Sequence, residues 1–261
     1  MRVKQPSKRF SRNENITRQI EGRNPVMEAL RAGTSLTQVF IEENVNQDDK
    51  IERINQLIWQ KKIKKIRVSR KKLDRMSKTG GQHQGIIAIA EVGEEKNLNE
   101  IIANLWQTKK NPFFLVLSGV VYEHNLGAVL RTAESCQVDA VIVPNKATGL
   151  TPVVSRTSAG ASEHVVLIHD NLFNVFKTFQ KIGVKIVGAT EKANRSIYRT
   201  NLTGPLAIVM GMEDTGISPA LQKYLDAEIR IQMLGQMESL NMSVSAAVCL
   251  YEAVRQRRYN E

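Results

Sequence analysis

The stretch Phe113-Phe114-Leu115-Val116-Leu117-Ser118-Gly119-Val120-Val121-Tyr122-Glu123-His124-Asn125-Leu126-Gly127 decides the fold. Its five leading apolar residues leave no polar face, so they read as a strand covered on both sides, as in a parallel sheet. A short loop of small and polar residues follows, and then a helix over Leu126 to Cys136 that carries Arg131, Thr132 and Glu134. Asn125 is suited to cap that helix, and Gly127 lets backbone or ligand come close.

Outward from this unit the pattern repeats. Apolar runs at Ala140 to Val143, Val165 to Ile168, Val184 to Val187, Leu206 to Met210 and Ala227 to Ile231 read as further strands. Helical stretches at Leu172 to Lys181 and Ser243 to Gln256 alternate with them. Residues 112–261 therefore form an α/β domain, a buried parallel sheet with helices on both faces. In such a sheet ligands bind beyond the carboxyl ends of the strands. Two more strand-end loops look like parts of a site. One is Gly211-Met212-Glu213-Asp214-Thr215-Gly216-Ile217-Ser218-Pro219. The other is Gln232-Met233-Leu234-Gly235-Gln236-Met237-Glu238-Ser239-Leu240-Asn241.

Toward the N-terminus the composition changes. Residues 93–111 are charged and amide-rich with one amphipathic segment, and read as a linker. Residues 20–92 read as a small α/β unit: a helix over Pro25 to Arg31, a strand over Thr37 to Ile41 and a helix over Asp48 to Gln60. A strand near Ile66 to Val68, a short basic helix and a strand over Ile86 to Glu91 follow. Between the last two lies an irregular loop with three glycines, Thr79-Gly80-Gly81-Gln82-His83-Gln84-Gly85. Residues 1–19 are polar, basic and aperiodic, and read as a disordered arm.

The charge is as uneven as the composition. Of the net charge of +11, residues 1–92 hold 20 Lys and Arg against 10 Asp and Glu, while residues 93–261 hold 17 against 16. Lys61 to Lys78 alone contains ten basic residues and one acid. An excess confined to one unit points to a polyanionic partner, nucleic acid before a membrane surface, because each phosphate contact releases counterions. No apolar run reaches the roughly 18 residues of a membrane span. Cys136 and Cys249 lack metal-site or disulfide spacing and read as buried free thiols, so a cytoplasmic location is expected, with organellar import left open by the basic start. No metal site is expected.

None of the 16 glycines stands two positions from another, so the Gly-x-Gly turn of a Rossmann dinucleotide or ordinary methyltransferase site is missing. The Walker phosphate loop and the Gly-x-Ser-x-Gly elbow are missing too. A nucleotide-like ligand must be held in another way.

The three loops, in this order, resemble the three motifs of the SpoU family, the 2′-O-methyltransferase branch of the SPOUT superfamily. They stand as Asn125-x-Gly127-x-x-x-Arg131-Thr132, Gly211-x-Glu213-x-x-Gly216-Ile217-Ser218, and Ile231-x-Met233-x-Gly235 running on through Ser239-Leu240-Asn241-x-Ser243-Val244. Ile20-Glu21-Gly22-Arg23-Asn24-Pro25-Val26 and His83-Gln84-Gly85-Ile86 are similar to the L30e-like RNA-binding domain that precedes many members. Within the family the likeness is nearest to the bacterial 23S rRNA guanosine 2′-O-methyltransferase group.

The resemblance implies a C-terminal trefoil knot, S-adenosylmethionine as cofactor, and a homodimer with its active site at the subunit interface. It places Gly211, Ile231, Leu240, Met233 and Gly235 at the cofactor and makes Arg131 catalytic, supported by Asn125, Ser239, Asn241 and Glu213. RNA contacts are expected from Lys61, Lys62, Lys64, Lys65 and His83, and from Arg255 and Arg257. The expected reaction is methyl transfer to a ribose 2′-hydroxyl in RNA, rRNA before tRNA; a tRNA enzyme or a non-catalytic RNA-binding assembly factor on the same fold are the alternatives. Two departures stand out: Gln232 replaces the family's usual proline, and Tyr122-Glu123 the commoner Asp-Pro. A guanidinium ordinarily titrates above about 12. Arg131 therefore acts either as a base with a depressed pKa, or as a fixed cation that stabilises the developing alkoxide.

Overall fold

The computed structural model describes residues 16–93, 96–119, 122–212 and 214–259. The chain runs β1 (Thr17–Glu21), α1 (Arg23–Ala32), β2 (Leu36–Glu42), α2 (Asp49–Gln60), β3 (Lys64–Val68), α3 (Arg70–Met76) and β4 (Ile86–Glu91). It continues through α4 (Leu98–Gln107), β5 (Phe113–Leu117), α5 (Glu123–Ser135), β6 (Ala140–Pro144), α6 (Pro152–Thr157), β7 (Leu167–Asp170) and α7 (Leu172–Lys181). Last come β8 (Lys185–Ala189), β9 (Leu206–Met210), α8 (Pro219–Gln222), β10 (Ala227–Ile229) and α9 (Met242–Arg258).

The N-terminal sheet has the order β1-β4-β2-β3, with β4 antiparallel to both neighbours and β2 parallel to β3. Helix α2 forms because Ile51, Ile54 and Ile58 make one apolar stripe and the Asp48 carboxylate caps it by accepting from the Ile51 N–H at 2.9 Å. The stripe packs with α1 on one sheet face, while Leu73 of α3 packs with Phe40 and Ile87 on the other. The expected arm over residues 1–19 needs correction at its end. Thr17 to Gln19 belong to β1, because their polar side chains line a sheet edge while the backbone pairs with β4. Residues 1–15 lie outside the described part.

The second sheet is parallel throughout, in the order β10-β8-β9-β5-β6-β7. Its middle strands, β9 and β5, are buried at every residue, as their unbroken apolar text requires. Side chains alternate between two cores. Phe113, Leu115 and Leu117 face α5 and α9, whereas Phe114 and Val116 face α4 and α7, where Phe114 stacks on Phe179 at 4.9 Å. Part of the expected linker thus belongs to this domain: Leu98, Ile102 and Leu105 of α4 are buried in its second core. The strand expected to reach Ile231 ends at Ile229, beyond which Arg230 makes only an isolated bridge to Ser196.

The two domains meet where β1 and α1 pack on α6 and the turn after it. Gly160 there has a φ of 92°, and an added Cβ would lie 2.7 Å from Glu28 Cβ and 3.0 Å from Pro25 Cα. Only glycine suits that position. Arg18 and Thr34 from the N-terminal domain both bond the Glu163 carboxylate.

Candidate active site

A cavity of about 340 Å³ opens at the carboxyl edge of the second sheet, in the size range of small-ligand sites. Met210, Ile229, Ile231, Leu240 and Met242 give it apolar walls, and Thr190, Glu191, Glu238, Ser239, Asn241 and Ser245 give it polar ones. Four of the five residues expected at the cofactor line this space: Gly211, Ile231, Met233 and Leu240. Gly235 is exposed and does not line it. Ser239 and Asn241 do. Glu213 lies outside the described residues.

Gly211 is required by its surroundings. Met212 and Gly216 exchange two backbone hydrogen bonds of 3.0 Å, which fold the loop back on itself. A Cβ on Gly211 would stand 2.7 Å from the Gly216 carbonyl carbon and 2.9 Å from the Ile217 nitrogen. The loop therefore presents bare backbone to the cavity. That is the cradle a nucleoside-like ligand needs in a chain with no Gly-x-Gly turn.

Asn241 ties the last loop together. Its Oδ1 accepts from the Ser243 N–H at 2.9 Å and from the Ser243 hydroxyl at 2.6 Å, capping α9. Its Nδ2 donates to Asn125 Oδ1 at 3.3 Å, so the first and third motif loops are joined within one chain. Asn125 is not the helix cap expected of it: α5 begins at Glu123, with Tyr122 in the capping position. This leaves the Asn125 side chain inside the first turn, where it meets Asn241. Gly127 serves packing of α5 on α6, since a Cβ there would meet Thr157 and, at 2.9 Å, the Val154 carbonyl oxygen.

Arg131 is placed apart. It is exposed on α5 and is not among the residues lining the cavity of its own chain. Three expected RNA contacts have other duties. His83 is fully buried, its Nδ1 accepting from the Gly85 N–H at 3.0 Å and its Nε2 donating to Asp74 at 2.9 Å, so it shapes the glycine loop and cannot meet RNA. Arg257 donates to the Gly204 and Asn111 carbonyls and lies 4.8 Å over the Phe113 ring, which anchors the end of α9. Burial lowers its pKa. Arg255 forms two 2.9 Å bonds to Glu252, which hold its own pKa up and that of Glu252 down. Lys61, Lys62, Lys64 and Lys65 are exposed.

Thr190 and Glu191 also line the site but are not marked in the sequence, unlike Glu238, which the third loop carries. The first two follow β8, which lies between β10 and β9, so only the strand order reveals that its end must border the cavity.

The chain was compared with known proteins. The SpoU rRNA methylase family model matches residues 112–251, and a model described as RNA 2′-O ribose methyltransferase substrate binding matches residues 19–95. The 23S rRNA (guanosine-2′-O-)-methyltransferase RlmB of Vibrio cholerae is 41% identical over 226 residues, 85% of this chain and 91% of that one. Its namesake from Haemophilus influenzae is 43% identical over 196 residues, 73% of this chain and 78% of that one. A crystal structure of an RNA 2′-O ribose methyltransferase superposes with a TM-score of 0.77 at 29% identity, covering 93% of this chain and 89% of the other. The SpoU methyltransferase AviRb from Streptomyces viridochromogenes, in complex with AdoMet, shares the fold at a TM-score of 0.77 and 20% identity, over 91% and 89% of the two chains. With its second and third motif loops lining one cavity, its first tied to the third through Asn125 and Asn241, and more than half its length matched, the chain belongs to the SpoU rRNA methylase family.

Proposed function

We propose that this protein transfers a methyl group from S-adenosylmethionine to a ribose 2′-hydroxyl of RNA, in 23S-type rRNA and with guanosine favoured. The observation that carries this reading is the cavity at the sheet edge, where the Gly211 backbone faces apolar walls and a polar rim. The residues fit the cofactor: Ile231, Leu240 and Met210 suit an apolar ring, and the backbone groups of the Gly211 and Ile231 loops suit the edges of a nucleoside. Bound there, S-adenosylmethionine would supply an electrophilic methyl group: the ribose oxygen would bond to that carbon as the carbon–sulfur bond breaks, S-adenosylhomocysteine would leave as the neutral thioether, and the hydroxyl proton would pass to water.

The chain's own residues orient and stabilise. Asn241 and Asn125 hold the motif loops together, and Ser239 stands on the cavity wall where it can position a nucleotide. Arg131 stabilises the alkoxide and the adjacent phosphate as a fixed cation. The exposure of Arg131 away from the cavity of its own chain supports its service to the cavity of a second copy, in a homodimer. The trefoil knot, the L30e-like identity of the N-terminal domain and a cytoplasmic setting belong to the same reading. The knot gives the strand-end loops their rigidity, and two buried free thiols accord with a reducing compartment. Among the described residues no helix is long and apolar enough to cross a membrane.

Calorimetry with S-adenosylmethionine and transfer of labelled methyl to 23S rRNA lacking its 2′-O-methyl groups test this directly. Saturable binding and incorporation at one guanosine ribose are expected. Absence of cofactor binding at millimolar concentration refutes the enzyme reading and leaves an RNA-binding factor.

A further inference from the structure

Helix α2 of the N-terminal domain carries an aromatic side chain that no packing explains. Trp59 is 81% exposed, although it lies on α2 among residues whose apolar stripe is complete without it. An exposed indole beside a well-filled core is informative in a way that a scattered leucine is not. Immediately after it the chain reads Lys61-Lys62-Ile63-Lys64-Lys65-Ile66-Arg67, five cations and no acid.

The structure brings these cations alongside the indole. Lys62 adopts a φ of 55°, turning the chain from the end of α2 into β3, and all four lysines of the run are exposed. Lys65 reaches back across the helix, its Nζ donating to Asn55 Oδ1 at 3.2 Å. Asn55 stands four residues before Trp59, on the same face of α2, so this ammonium lies along the indole's own stripe. From Lys61 to Lys78, among the described residues, Arg70 alone meets a carboxylate, Glu42 at 3.7 Å. The charge is thus left for a partner outside the chain.

Position in the sheet gives the surface its role. In the order β1-β4-β2-β3, β1 packs against the catalytic domain and β3 is the opposite edge. The basic run on β3 thus lies at the edge of the sheet opposite the one that packs on the second domain.

We propose that Trp59, with Lys61, Lys62 and Lys65, is a stacking site for an unpaired nucleobase of the RNA substrate. The proposal rests on the reading of the chain as an RNA-modifying enzyme and adds an occupant: single-stranded RNA, its base on the indole and its flanking phosphates on the lysines. Point charges on flexible stems hold a backbone, and an aromatic plane holds any base. A rigid duplex, whose bases are already stacked on one another, gains only the phosphate contacts.

The test uses the full-length chain carrying Trp106→Phe, which leaves Trp59 as the one tryptophan. Oligouridylate of about 12 nucleotides is titrated while indole emission and the anisotropy of a label on the RNA are read together. Quenching that tracks binding is expected, with a blunt RNA duplex of equal length binding without comparable quenching. In the otherwise native chain, Trp59→Ala weakens oligouridylate binding by about tenfold, the effect of losing one stacked base. Trp59→Phe restores most of it. Oligouridylate that binds without changing the emission, and equally well to Trp59→Ala, overturns the stacking site and leaves the methyltransferase reading intact. Equal quenching by the duplex also overturns it. Failure of any RNA to bind refutes both.

Discussion

Arg18 grips Glu163 with both terminal guanidinium nitrogens, at 2.9 and 2.6 Å, across 145 residues of sequence and the boundary between the two domains. The carboxylate side chain is 1% exposed and also accepts from the Thr34 hydroxyl at 2.8 Å. A bidentate pair of this kind fixes orientation as well as distance. The N-terminal domain is therefore held at a set angle to the methyl-transfer cavity.

Removing the acid leaves Arg18 without its counter-charge in a site largely closed to water. Glu163→Ala is expected to cost about 3 kcal/mol in the docked state. Chemical denaturation is then expected to show two transitions, against one expected for the native chain, and limited proteolysis should cut near the domain boundary. A single transition at the native midpoint would refute the docking role.

Gly211→Ala places a methyl group against the backbone of Gly216 and Ile217. Overpacking against backbone has no flexible side chain to relieve it, and strain of about 3 kcal/mol corresponds to roughly 100-fold in affinity. Calorimetry should show S-adenosylmethionine binding weakened to that extent, with the thermal midpoint of the N-terminal domain unmoved.

The proposed sharing of a site between two copies has its own test. Arg131→Ala and Gly211→Ala chains, each inactive alone, should recover activity when co-expressed, because a hybrid pair contains one cavity with both residues intact. The expected recovery is about a quarter of the native rate, since half the dimers are hybrids and each has one working site. No recovery would place Arg131 at the cavity of its own chain. Arg131→Lys should keep measurable activity if a fixed cation is what the reaction needs.

Glu21 predicts a pH effect confined to the N-terminal domain. Burial opposes its charge, but donors from Thr79, Lys78, Ser77 and Gln19, all at 2.6–2.7 Å, outweigh that and lower its pKa. A carboxylate with a lowered folded-state pKa adds stability above its unfolded value, near about 4.3, and loses it as pH falls toward the folded one. Below about pH 4 the loop from Ser77 to Gly85 should loosen first, as seen by hydrogen exchange. Glu21→Gln should be less stable at pH 7 and should lack this acid-dependent step.

Cys136 and Cys249 are buried, and burial pushes their thiols up to about 11 and about 12. Both should resist a thiol reagent at pH 8 in the native protein and react once it is unfolded in guanidinium.

How much of this was legible in the sequence depends on where each element finds its partner. The strands of the second sheet announce themselves because burial on both faces demands unbroken apolar text, and α7 matches its expected limits at both ends. Thr17 to Gln19 gave no such sign, since an edge strand is held by the backbone bonds of β4 and its side chains stay free to be polar. The segment around Ile102 shows its helical stripe plainly, but not which core receives it. Helix α6, Pro152–Thr157, is one and a half turns long and rich in valine, too short for periodicity to declare it. The site divides in the same way. Gly211, Ile231, Leu240 and Asn241 could be marked because their loops carry spaced motifs, whereas Thr190 joins them through strand order alone. Arg257 and His83 misled because a cation or an imidazole looks the same in sequence whether it faces solvent or closes an internal hydrogen bond.

The pairing of β5 with β9 also orders events in time. Phe113 must wait for Leu206, roughly ninety residues later, before the centre of the second sheet can close. At synthesis rates of about 5–20 residues per second that is a delay on the order of ten seconds. The first domain, complete at Glu91, can form while the second is still being made. A nascent chain could thus hold its basic surface ready for RNA before it has anywhere to bind a methyl donor.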